Sequence, residues 1–110
     1  MDCIFCQIAK KQVPTEFLYE DERIFVIKDI NPVAPVHLLI IPKKHIPSLD
    51  HLMPEDKQLL LEMFVVAQKL AHEKGVSSLL GEEKGYQLLF NVGKGAGQTI
   101  DHLHLHLLAR

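Results

Sequence analysis

Asp101-His102-Leu103-His104-Leu105-His106-Leu107-Leu108-Ala109-Arg110 is the stretch on which the fold turns. Histidine and leucine alternate through it, and a period of two is the pattern of a β-strand whose two faces differ. On such a strand His102, His104 and His106 share one face, successive rings about 7 Å apart at roughly 3.3 Å of rise per residue. Leu103, Leu105 and Leu107 take the other face and enter a core. Imidazole gains or loses a proton near neutral pH. Three on one face therefore make a chemical site or a metal site.

Directly before this strand lies Gly93-Lys94-Gly95-Ala96-Gly97-Gln98-Thr99. It fails two phosphate-loop tests: no Gly-Lys-Ser/Thr opens a helix, and a strand, not a helix, follows the glycines. Three glycines still let backbone N–H groups approach an anion, and Gln98 and Thr99 offer side-chain donors. Tyr86–Val92 precedes the loop as a fourth strand. Pro54-Glu55-Asp56 opens the one long helix, with proline at its first position and acids in its first turn. Leu59, Leu60, Met63, Phe64, Ala67, Leu70 and Ala71 form its apolar stripe, and Gly75 stops it. His72 in its last turn is expected to be solvated. Farther back, Phe17–Glu20 and Arg23–Lys28 form a hairpin around Asp21-Glu22, Asp29–Pro35 is a proline-broken loop, and His37–Pro42 is an apolar strand. Ile4–Lys11 is a short N-terminal helix. The order predicts an α+β fold with a mainly antiparallel five-stranded sheet. One long helix covers one sheet face, which leaves the other for dimerisation or ligand binding.

The chain of 110 residues is expected to form a single domain, residues 1–110. Its net charge of −2 gives no basic footprint for nucleic acid, and no apolar run is long enough to span a membrane. Met1–Cys6 lacks the marks of a signal peptide, which predicts a cytoplasmic location. Cys3 and Cys6 suit a metal half-site or a redox pair in a reducing compartment, or are two ordinary thiols.

Two chemistries compete for the histidine strand. His-x-His on a strand can present two nitrogens to one ion. Alternatively one imidazole attacks phosphorus, dividing a hard displacement into two easier ones. The second needs an anion-binding loop nearby, and the glycine segment supplies one, so the nucleophile is favoured.

His102-Leu-His104-Leu-His106-Leu-Leu108 resembles the signature of the histidine triad (HIT) superfamily. Cys3-Ile-Phe-Cys6-Gln-Ile8, Tyr19-Glu-Asp21, Asp29-Ile-Asn-Pro32, Ala34-Pro-Val-His37, Ile41-Pro-Lys-Lys-His45, Asn91 and Gly97-Gln98-Thr99 extend the likeness over nearly the whole chain, to the Hint-like bacterial branch. The resemblance implies a HIT-like fold and a hydrolase or transferase acting at the α-phosphate of a purine nucleotide. Purine nucleoside 5′-phosphoramidates such as AMP-NH2 and AMP-lysine are the implied substrates, with a nucleotidyl-histidine intermediate. Dinucleoside polyphosphate hydrolysis, or a nucleotide-binding regulatory module with incidental catalysis, remain alternatives.

By the same resemblance His104 is the nucleophile, His106 contacts the phosphate, and His37 orients the nucleophile's other ring nitrogen. Asn91, Gly97, Gln98, Thr99 and Ile100 match the phosphate-binding segment. Asp29, beside Ile30, matches the ribose-binding carboxylate, and Ile4, Phe5 and Ile8 match the wall of the base pocket. Cys3, Cys6, His45 and His102 match the ligands of a structural zinc; no organic cofactor is implied. A homodimer is implied as well. Two departures stand out. Thr99 replaces the serine common in Hint relatives, which keeps the hydroxyl but adds a methyl. The tail after Leu107 is short, which touches substrate choice more than chemistry.

Overall fold

The computed structural model describes residues 3–110. Helix α1 spans Ile4–Ala9 and ends two residues short of the expected Lys11, which takes a left-handed φ of 63°. Strands β1 (Tyr19–Glu20) and β2 (Ile24–Lys28) follow, then β3 (Val36–Pro42). The β1–β2 turn is made by Asp21, whose Oδ1 accepts from the backbone N–H groups of Arg23 and Ile24, both at 2.8 Å. Such side-chain acceptance is why aspartate favours turns. The long helix α2 covers Lys57–Glu73, and Pro54–Asp56 is a 3-10 turn ahead of it, not its first turn. Gly75, at φ 75°, lets Val76 N–H reach back to Ala71 O at 2.9 Å, which closes the helix as expected. Strands β4 (Gln87–Leu89) and β5 (Leu105–Ala109) complete one antiparallel sheet in the order β1-β2-β3-β5-β4.

The histidine strand is shorter than its alternation suggests. Leu105 pairs with Ile40, so the next step would set Leu103 against Pro42. Proline has no N–H to give, and the ladder ends there. Leu103 N–H bonds Ile46 O at 2.6 Å instead. His106 therefore stands on β5, whereas His102 and His104 lie on the extended segment before it. The alternation of faces survives. Leu103, Leu105 and Leu107 are buried with Ile24, Val26, Leu38 and Ile40 against Leu59, Met63, Val66, Ala67, Leu70 and Ala71 of α2. Two details of the stripe differ. Phe64 is 36% exposed, while Val66, absent from the expected stripe, is buried.

The second face is not bare. Phe5 and Ile8 of α1 pack on Phe25, Ile27, Leu39 and Ile41 and close the β2–β3 half. The β3–β5 half of that face carries His37 and His106, since His106 pairs with Leu39 and His37 with Leu108. Helix α1 thus walls the histidines from one side.

Candidate active site and metal cluster

His104 is 8% exposed, and its Nδ1–H donates to the carbonyl of His102 at 2.6 Å. A carbonyl only accepts, so the proton sits on Nδ1 and the lone pair is left on Nε2. The ring is steadied by Phe5, edge-on at 5.1 Å between centroids. Burial lowers the His104 pKa; the His102 carbonyl and the charge of Asp29 oppose that fall. In the neutral ring the Nε2 lone pair is free, which is what nucleophilic attack would need.

His106 lies beside it, ring centroids 5.0 Å apart. Its Nδ1 is 2.9 Å from His37 Nε2, and its Nε2 is buried without a partner among the described residues. Burial, then the neighbouring His104 and His37, push its pKa down to about 4. His37 makes two further contacts. Its Nδ1 accepts from Val33 N–H at 3.2 Å, and its Nε2 is 3.3 Å from Asp29 Oδ2. The expected contact of His37 with the nucleophile's second nitrogen is thus corrected: that nitrogen belongs to the His102 carbonyl, and His37 orients His106.

The glycine loop turns on Gly93 and Gly97, at φ 85° and 89°, with a 3-10 turn at Lys94–Ala96 between them. Gln98 does not offer its side chain to a ligand as expected. It is 5% exposed; its Oε1 accepts from Gly93 N–H at 2.9 Å and its Nε2 donates to Pro47 O and Ile100 O at 2.7 and 2.9 Å. Both amide hydrogens are spent, so Gln98 is the brace of the loop. Thr99 is exposed and Ile100 and Asn91 half-buried, which leaves them accessible. Of the expected base-pocket wall, Phe5 and Ile8 are core residues, whereas Ile4 is 38% exposed; Ile30, beside Asp29, is 91% exposed. Asp29 Oδ1 is held by Asn31 N–H at 2.8 Å.

Cys3, Cys6, His45 and His102 come together at the N-terminus of α1, their ligand atoms all within 4.8 Å of one another. His102 Nδ1 is 3.2 Å from Cys3 Sγ, 3.6 Å from Cys6 Sγ and 3.0 Å from His45 Nδ1, and Cys6 Sγ is 3.4 Å from His45 Nδ1. A tetrahedral zinc with bonds of about 2.0 Å to nitrogen and 2.3 Å to sulfur sets its donors roughly 3.3–3.8 Å apart. His102 Nε2–H donates to Pro42 O at 2.8 Å, so its Nδ1 lone pair faces the cluster. A ligating histidine customarily gives its other nitrogen to a carbonyl in this way. Burial drives the His102 pKa down to about 4, keeping that lone pair free. The donor set therefore fits a metal ion. The carbonyls of His102 and Pro42 are backbone groups, and no side-chain pattern in the sequence marks them.

A histidine with its lone pair fixed on Nε2, beside a second histidine and after a glycine loop, is an arrangement suited to attack on a phosphate. Comparison with known proteins points the same way. Residues 2–110 match the family model described as scavenger mRNA decapping enzyme C-term binding. The chain is 44% identical to Protein HitA of Neisseria gonorrhoeae over 97% of its own length and 94% of that protein's. It is 36% identical to the purine nucleoside phosphoramidase of Escherichia coli K12, covering 97% of this chain and 86% of that one. A crystal structure of a HIT family hydrolase from Legionella pneumophila superposes with a TM-score of 0.90 at 45% identity, over 97% of this chain and 91% of the other. The chain belongs to the histidine triad family and is a hydrolase of it. No helix among the described residues is long and apolar enough to cross a membrane.

Proposed function

We propose that this HIT-family nucleotide hydrolase cleaves purine nucleoside 5′-phosphoramidates, AMP-NH2 and AMP-lysine foremost, through a nucleotidyl-His104 intermediate. The observation that carries the reading is the 2.6 Å bond from His104 Nδ1–H to the His102 carbonyl, which leaves Nε2 as the one basic nitrogen of a buried ring. In the first step that lone pair attacks the α-phosphorus, the P–N bond to the leaving amine breaks with its electron pair going to nitrogen, and the amine takes up a proton from solvent water. In the second, water attacks the same phosphorus, releases the nucleoside monophosphate and returns the electron pair to His104. His106 contacts a phosphate oxygen. The exposed backbone around Gly97, together with Thr99, Ile100 and Asn91, lines the phosphate path, Asp29 and Ile30 meet the ribose, and Ile4 takes the base. The phosphoramidase name of the Escherichia coli relative supports the substrate class.

Turnover of AMP-lysine, GMP-lysine and a diadenosine polyphosphate on one preparation tests this. AMP-lysine is expected to be the fastest. Faster cleavage of the diadenosine compound would favour the polyphosphate hydrolase, and no turnover of any would favour the binding module.

Zinc is the proposed occupant of the Cys3, Cys6, His45 and His102 cluster, where its chemistry would be structural: a closed four-ligand set cross-linking α1 to the catalytic segment. A homodimer is proposed too. Its support is not the second sheet face, which α1 and the histidines occupy, but the β4 edge and the outer side of α2. Leu61, Phe64 and Val65 of α2 and Leu88 and Leu89 of β4 are 36–55% exposed, and β4 has one open edge. Such a strand invites pairing with a second copy. Light scattering is expected to return the mass of two chains; a monomer mass at every concentration would contradict it.

A further inference from the structure

Val33 has no evident use for its side chain, which is 79% exposed in the loop between β2 and β3. Its backbone faces inward. The N–H points at His37 Nδ1 from 3.2 Å, in a loop closed at its base by Asp29 N–H to His37 O at 3.0 Å. We propose that this amide is a positioning group: it sets the proton position on His37 and, through His37, on His106, so that His106 presents N–H and not a lone pair to the phosphate.

An amide N–H only donates, so it requires a lone pair on His37 Nδ1. The one proton of a neutral His37 then sits on Nε2. Asp29 Oδ2, 3.3 Å away, stabilises a proton at the same nitrogen. That Nε2–H donates to His106 Nδ1 at 2.9 Å, which must therefore be the acceptor. His106 is left with its proton on Nε2, the buried atom with no partner among the described residues. A buried N–H without an acceptor costs free energy in the free protein. A phosphate oxygen supplies the missing acceptor. With the opposite tautomer, a lone pair would face a negatively charged oxygen. The low His106 pKa keeps the ring neutral, so its tautomer matters. His104, held by an acceptor in place of a donor, takes the opposite tautomer. Two histidines 5.0 Å apart thus become a nucleophile and a donor because one meets a carbonyl and the other ends a chain begun by an amide.

A second consequence follows. Donor atoms of Asp29, His37 and His106 lie within 4.8 Å of one another, close enough to trap a metal ion. A metal on His37 Nε2 would move that ring's proton to Nδ1, against the Val33 N–H. The amide therefore keeps metal out of this cluster.

The proposal rests on the phosphate-contact reading of His106, but its test does not depend on turnover. Ring-nitrogen NMR of the uniformly 15N-labelled full chain reads the tautomers directly. His37 and His106 are expected as Nε2–H and His104 as Nδ1–H. An Nδ1–H His106 in the folded wild type would overturn the proposal. Val33→Ala, which keeps the amide, retains the Nε2–H tautomers. Val33→Pro, which removes it, is expected to shift His37 and His106 toward Nδ1–H, to lower kcat by up to roughly a hundredfold to a thousandfold with little change in KM, as for loss of one preorganised donor, and to become inhibitable by added Ni2+. Unchanged tautomers in a folded Val33→Pro variant would overturn the role of the amide and leave Asp29 as the group that sets the proton. Wild-type protein with these tautomers but no activity on any nucleotide would sink the functional reading alone.

Discussion

His104→Ala is expected to lower kcat for AMP-lysine by more than about 10⁴-fold, the scale seen when a covalent nucleophile is removed. No neighbouring ring can substitute. His106 has its Nδ1 engaged by His37, and the relay proposed above puts a proton on its Nε2. His102 gives Nε2–H to Pro42 and turns Nδ1 to the cysteines. His37 lies behind His106, with both nitrogens committed. The substitution removes a ring packed against Phe5 and its hydrogen bond to the His102 carbonyl, but breaks no backbone–backbone hydrogen bond, so the variant is expected to fold, with a circular-dichroism melt as the check. Near-wild-type turnover by folded His104→Ala would contradict the mechanism.

The second large effect is on stability. Purified protein is expected to carry one zinc per chain, and Cys3→Ser to lose it. A ligand present at a thousandfold excess over its Kd stabilises the folded state by about 4 kcal/mol, which at 4–8 °C per kcal/mol is a fall in Tm of roughly 15–30 °C for a domain of this size. The cluster joins residues far apart in sequence, Cys3 and Cys6 to His45 and His102, so its loss frees α1 from the segment that holds His104. Since α1 supplies Phe5 to both the second core and the His104 ring, activity is expected to fall along with stability. Metal analysis showing no zinc, with both thiols freely titratable, would contradict the assignment.

Much of this was legible in the residues. The period-two alternation of 102–108 placed three leucines in the core, and Gly75 marked the end of α2, whereas Pro54 opens a 3-10 turn ahead of the helix. The resemblance to the histidine triad family also grouped Cys3, Cys6, His45 and His102, and they meet in space. What escaped was backbone chemistry. Pro42 stops the β3–β5 ladder, so two of the three histidines leave the strand, and nothing in the alternation shows it. The His102 carbonyl fixes the His104 tautomer, and any residue could supply a carbonyl there. Gln98 looked like a phosphate donor because its type and loop suit one. Its burial and three hydrogen bonds, set by the distant Pro47 carbonyl among others, make it a brace. Phe64 and Val66 exchanged roles for a similar reason: helical spacing gives a face, but the partner surface decides where its border lies.

The central claim is that phosphorus is attacked twice, first by His104 and then by water. The stereochemical course of hydrolysis reads this without any need for the intermediate to accumulate. With an adenosine phosphoramidate made chiral at phosphorus by a sulfur atom and hydrolysed in 18O-labelled water, two in-line displacements give net retention of configuration, which is the predicted result. Net inversion would mean a single direct attack by water and would contradict the nucleotidyl-His104 intermediate.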